Sequence, residues 1–162
     1  MNLRMWTASI AMMACSWLSY VDRQALAVLS PVILADTGPL YALADPSDQY
    51  HKRATRELES IIQAHSVAIS IPVLCEAHTL ILRRLGGNYA RQWLGEILAG
   101  GIVLSPGLDD IDSAVERLEK FRDHPLTLTD TVLASVSARM SAPVWTFDRH
   151  FSMMSASVWP SQ

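Results

Sequence analysis

At 162 residues with a formal net charge of −3, the chain is one domain long enough to bury a core and lacks the basic excess of a conventional nucleic-acid binder. A nuclease is not thereby excluded, because a bound metal supplies positive charge locally. The two cysteines, Cys15 and Cys75, form no CxxC and no metal-ligand spacing, which argues against a disulfide framework and casts Cys75 as a buried helical thiol.

The N-terminal segment stands apart. From Met5 to Val21 no residue is charged, a stretch of about 17 residues and the lower limit for a membrane span. Residues 1–31 are therefore read as an apolar, helical extension ahead of a domain at 32–162. Three readings of it stay open. The run from Leu18 to Ile33, with its Tyr20-Val21-Asp22-Arg23-Gln24 and Pro31, resembles the first transmembrane helix of major facilitator transporters. On that likeness the extension is a remnant of a recombined or misassigned gene start. The second reading is a membrane tether through residues 5–21, or a helix packed on the domain. The third is a cleaved signal, with Ala25-Leu26-Ala27 as its cleavage site, although Asp22-Arg23 separates that site from the apolar part.

Beyond the extension, Val32 to Ala35 is a continuous apolar run, as expected of a central strand covered on both faces. A short helix over Leu40 to Ala44 follows the break at Thr37-Gly38-Pro39, and the turn at Asp45 to Asp48 offers Ser47 as a cap. Tyr50, Ala54, Leu58, Ile61 and Ile62 then recur at helical spacing. Val67 to Ile71 predicts the second strand, and Pro72 suits the first turn of a helix that Gly86-Gly87-Asn88 ends. A further helix precedes a short strand at Ile102 to Leu104. Asp109 is the expected cap of the next helix, on whose surface Asp110 and Asp112 also lie, and Thr129 that of the one after it. Pro143 leads into a strand ending at Asp148, and Val158-Trp159 adds an edge strand. Strands alternating with helices predict an α/β fold with a central parallel sheet in three layers.

Four acids occupy the ends of these elements: Asp36 and Asp148 after apolar strands, Glu76 and Asp130 at helix starts. In an open parallel sheet such positions share the edge where ligands bind. Carboxylates converging there repel one another unless a cation lies among them. A divalent metal site and metal-assisted phosphodiester hydrolysis are the economical reading. Taken singly, each acid is more often a helix cap, and Glu76 is the one most readily assigned to solvent. Arg83, Arg84, Arg91 and Arg149 are candidate phosphate contacts or an ordinary charged face. Of the histidines, His51 and His65 are read as solvated and His150 as structural.

Ala35-Asp36-Thr37-Gly38-Pro39-Leu40, Pro72-Val73-Leu74-Cys75-Glu76, Leu128-Thr129-Asp130 and Thr146-Phe147-Asp148-Arg149-His150-Phe151 together resemble the PIN domain, most closely the VapC-type toxins of bacterial toxin–antitoxin pairs. The likeness runs from about Val32 to Trp159. It implies an α/β/α, PIN-like endoribonuclease that uses Mg²⁺ or Mn²⁺, cuts RNA in the cytoplasm, is silenced by a cognate antitoxin and often forms homodimers. Asp36, Glu76, Asp130 and Asp148 match the four acidic metal ligands and catalytic residues. Thr146 matches a hydroxyl often found two residues before the last acid. Thr37 or Thr146 would orient a carboxylate or water from behind, and Arg149 would touch substrate. Thr131 and Phe147 depart from the pattern, which more often has Ala at the first and Thr or Asn at the second. One metal or two remains open. The rivals are a catalytically silent RNA- or partner-binding module and a membrane-associated form.

Overall fold

The computed structural model describes residues 31–160. The extension at 1–30, and with it the apolar helix, lies outside them. Five strands form one sheet in the order β3-β2-β1-β4-β5, and every neighbouring pair is parallel. They are β1 (Val32–Ala35), β2 (Ser66–Ser70), β3 (Ile102–Leu104), β4 (Val144–Trp145) and β5 (Val158–Trp159). The helices are α1 (Thr37–Ala44), α2 (His51–Ile61), α3 (Ile71–Leu85), α4 (Gly87–Gly100), α5 (Leu108–Lys120), α6 (Leu128–Met140) and α7 (His150–Met153). They cover the sheet in an α/β/α arrangement, as the alternation of apolar runs and amphipathic stretches predicts.

The central strand reads as it packs. Ile33, Leu34 and Ala35 are fully buried, paired with β2 on one side and β4 on the other. From β1 the chain winds outward to β2 and β3, then returns to place β4 and β5 on the opposite flank. The β1–β4 boundary is thus a topological switch point, and the crevice beyond the carboxyl ends of these strands is the natural ligand site of such a sheet. Helix α6 supports that boundary. Thr131 through Ser137 are all buried, so the helix carries no amphipathic stripe. Its hydroxyls bond inward: Ser135 to the Thr131 carbonyl at 2.9 Å and Ser137 to the Ala142 carbonyl at 2.7 Å.

Several local expectations shift. Helix α1 starts at Thr37 rather than Leu40, because Asp36 caps it. Ser47 caps nothing; its amide and hydroxyl both donate to Asp45, and α2 begins at His51. Gly86 ends α3 with φ at +92°, a backbone state that L side chains rarely adopt. Gly107 rather than Asp109 caps α5, and Thr127 rather than Thr129 caps α6. Cys75 is exposed, not buried. His51 is half-buried, its Nδ1 2.7 Å from the Ala42 carbonyl.

Candidate active site

Asp36 is the first residue beyond β1, and its position follows from the strand that delivers it. Its side chain is only 7% exposed. One carboxylate oxygen accepts the Thr37 amide at 2.7 Å and the other the Thr146 hydroxyl at 2.7 Å. Burial pushes its pKa up to about 6. The bonds from Thr146 and Thr37 pull it down, while the charges of Asp130 and Glu76 push it further up. Two of the other three acids thus act on Asp36, although they come from α3 and α6.

Two threonines link the carboxylates. Thr37, the first residue of α1, also donates its hydroxyl to Glu76 at 3.1 Å, so Glu76 is half-buried and held rather than loose in solvent. Thr146, just past β4, donates to Asp36 and accepts the Asp148 amide at 2.9 Å. A single hydroxyl thereby joins the ends of β1 and β4.

Asp130 and Asp148 are turned partly elsewhere. One Asp130 oxygen accepts both the amide and the hydroxyl of Thr127 at 2.8 Å, forming a capping box at the start of α6. Asp148 accepts the His150 amide at 2.9 Å on the oxygen that also lies 2.8 Å from His150 Nδ1. Among the described residues no three His, Cys, Asp or Glu side chains close into a metal-holding group. The donor set nevertheless suits a hard divalent ion: carboxylates and hydroxyls, with a second oxygen on Glu76, Asp130 and Asp148 that no described residue engages. Arg149 is exposed beside Asp148 and makes no ion pair within the described residues.

Thr127, which did not stand out in the sequence, and His150, read there as structural, both enter the site's network. Thr127-Leu128-Thr129-Asp130 is a capping-box sequence, so Thr127 was readable in principle. The contact of His150 with Asp148 depends on the turn between them and carries no such signal.

Residues 33–156 match the sequence model of the PIN domain. The chain belongs to the PIN-domain family. Among solved structures, the Mycobacterium tuberculosis toxin VapC20, described as cleaving the sarcin–ricin loop, is 26% identical with a TM-score of 0.70, covering 76% of this chain and 95% of its own. PAE2754 from Pyrobaculum aerophilum is also 26% identical, with a TM-score of 0.52 over 77% of this chain and 79% of that one. VapBC2 from Rickettsia felis, solved with a fragment of its promoter DNA, shares the fold at 15% identity and a TM-score of 0.63, covering 78% and 96%. No curated protein matches the chain. The likeness of residues 1–33 to a transporter helix is not borne out by any of the comparisons; the PIN match covers residues 33–156. Among the described residues no helix of this PIN domain is long and apolar enough to cross a membrane.

Proposed function

We propose that this PIN domain, spanning residues 32–162, is a divalent-metal-dependent endoribonuclease acting in the cytoplasm as the toxin of a toxin–antitoxin pair. The observation that carries the reading is Asp36: a carboxyl at the sheet's switch point, buried, with its pKa raised to about 6 and two further acids acting on it. A chain gains nothing in stability from such a group, which points to a ligand that completes it. Family membership and the likeness to a 26% identical toxin support the nuclease assignment.

Asp36, Glu76, Asp130 and Asp148 are the proposed catalytic and metal-holding residues, with Mg²⁺ or Mn²⁺ as the ion. Bound there, the ion would lower the pKa of a water to make a nucleophile and neutralise charge growing on the phosphate. Asp36 holds its position through Thr37 and Thr146, which fix both of its oxygens. Thr37 orients Glu76, and Thr146 sets the backbone of Asp148. Arg149 is placed to meet a phosphate. A cognate antitoxin and a second copy of the chain are the proposed partners. Cleavage of RNA with and without EDTA tests the assignment: cutting should need free Mg²⁺ or Mn²⁺ and stop on chelation. Unchanged cutting in EDTA contradicts metal dependence, and no cutting under any ion contradicts the nuclease.

Two observations favour a second reading, a silent RNA- or partner-binding module: the engagement of Asp130 in a capping box with Thr127 and the absence of a closed three-ligand group among the described residues. Such a module would neither bind Mn²⁺ nor respond to Asp148→Asn.

A further inference from the structure

We propose that Tyr50 and Arg53, presented on the ring of Phe147, form a nucleotide subsite that stacks a base and neutralises a phosphate next to the scissile bond. The inference rests on the ribonuclease reading and adds residues that the acid cluster does not contain.

Phe147 ties the subsite to the site. It stands between Thr146, whose hydroxyl donates to Asp36, and Asp148. Its ring also flanks the first turn of α1, where a Cβ placed on Gly38 would lie 3.8 Å from Phe147 Cδ2. The Tyr50 ring centroid is 5.1 Å from that of Phe147 at an interplanar angle of 33°. The Arg53 guanidinium carbon sits 4.6 Å above the Phe147 ring.

Arg53 is fixed from a second direction. Its Nε donates to Glu57 at 2.8 Å, and the other Glu57 oxygen accepts the indole N–H of buried Trp145 at 2.6 Å. Trp145 immediately precedes Thr146, so the cation is tethered to the strand end that carries the acids. Both Nη groups of Arg53 are without partners among the described residues, and its side chain is 47% exposed. A guanidinium held by an acid and a ring, with its fork open to solvent, has lost its rotamer freedom before any ligand arrives.

Electrostatics explains what such a group contributes. On a chain of net charge −3, a fixed cation at the rim of four carboxylates adds attraction for an RNA backbone to what a bound ion would supply. Aromatic faces supply the remaining, sequence-tolerant part of single-strand binding. Were the cluster merely core packing, Tyr50 would be buried; it is 42% exposed, and its hydroxyl has no partner among the described residues.

The test uses the full chain in EDTA, so that nothing is cut, and follows fluorescence anisotropy. Two labelled probes are compared: a mixed-sequence 12-nucleotide single-stranded RNA and an abasic ribose-phosphate oligomer of equal length. Tyr50→Leu should weaken RNA binding about fivefold or more and leave the abasic oligomer unaffected, while Tyr50→Phe binds like the parent. Arg53→Gln should weaken both probes and flatten the salt dependence by about 0.7 in log–log slope. Arg53→Lys, which keeps the charge, should retain that slope. If the parent binds RNA and Tyr50→Leu and Arg53→Gln bind it equally well, the subsite is wrong and the ribonuclease reading stands. Equal loss on both probes for Tyr50→Leu overturns the stacking role. A parent chain that binds neither probe overturns the subsite, while the ribonuclease reading is judged by cleavage in Mg²⁺ or Mn²⁺.

Discussion

Asp36 and Asp110 expose similarly little surface, 7% and 4%, but Asp36 lies deep in the protein while Asp110 lies under the half-exposed Arg139, and their pKa values move in opposite directions. Arg139 donates to both oxygens of Asp110, at 2.8 and 3.0 Å, and the Gly107 amide adds a third bond at 2.9 Å. The guanidinium bonds hold that carboxyl below its usual range. Asp36 also receives two good hydrogen bonds, but no cation from the described residues, and the charges that act on it are of its own sign. The first carboxylate links α5 to α6 and serves the fold. The second is left short of counter-charge at the switch point of the sheet. Depth and the missing partner together separate a structural acid from a functional one where exposed surface alone does not.

The largest expected effect lies at Asp36. Asp36→Asn should lower RNA cleavage by more than about 100-fold with the fold intact by circular dichroism, since even groups behind metal ligands contribute about 10–100-fold. Thr146→Val should fall within that smaller range and Thr146→Ser should recover most of the loss, which steady-state cleavage assays will show.

The same Asn substitution should raise stability. A folded-state pKa of about 6 against 3.8 means that the native state holds its proton more tightly, so stability falls as pH rises from about 4 to about 6. In EDTA at pH 7.5, Asp36→Asn should be up to about 3 kcal/mol more stable than the parent by urea unfolding, with the gap closing toward pH 4. A gap that persists at pH 4 would place its origin outside the ionisation.

Arg139→Met should do the reverse, costing about 1–3 kcal/mol at pH 7.5 by leaving a buried carboxylate without its cation. Because the Asp110 pKa is lowered in the fold, its contribution is present above about pH 4 and lost as pH falls further, so this deficit should shrink in acid.

How much of this was legible in the sequence follows the physics of each signal. Strand β1 and Asp36 were readable because an uninterrupted apolar run marks a strand covered on both faces, and an acid at its end must sit where the cover stops. The pairing of Thr146 with the last acid came from the family resemblance rather than from periodicity. Asp110 was not: beside Asp109 and Asp112 it looked like one more solvated charge, and only the packing of α5 on α6 brings Arg139 to it from 29 residues away. Thr129 failed as a cap because Thr127 offers the same chemistry two residues earlier, and Ser47 because it bonds Asp45 while α2 starts at His51 without a side-chain cap. Tyr50, Arg53 and Phe147 each carried an ordinary local reading. Their meeting depends on how α2 sits against the loop after β4, which no periodicity encodes.

The nuclease reading depends most on Asp36, Glu76, Asp130 and Asp148 sharing a divalent ion. Titration of the full chain with Mn²⁺, followed by the loss of the free-ion electron paramagnetic resonance signal, tests this most directly. Saturable binding that weakens at least about tenfold in both Asp36→Asn and Asp148→Asn is the predicted result. Absence of binding, or binding that neither substitution changes, would contradict it.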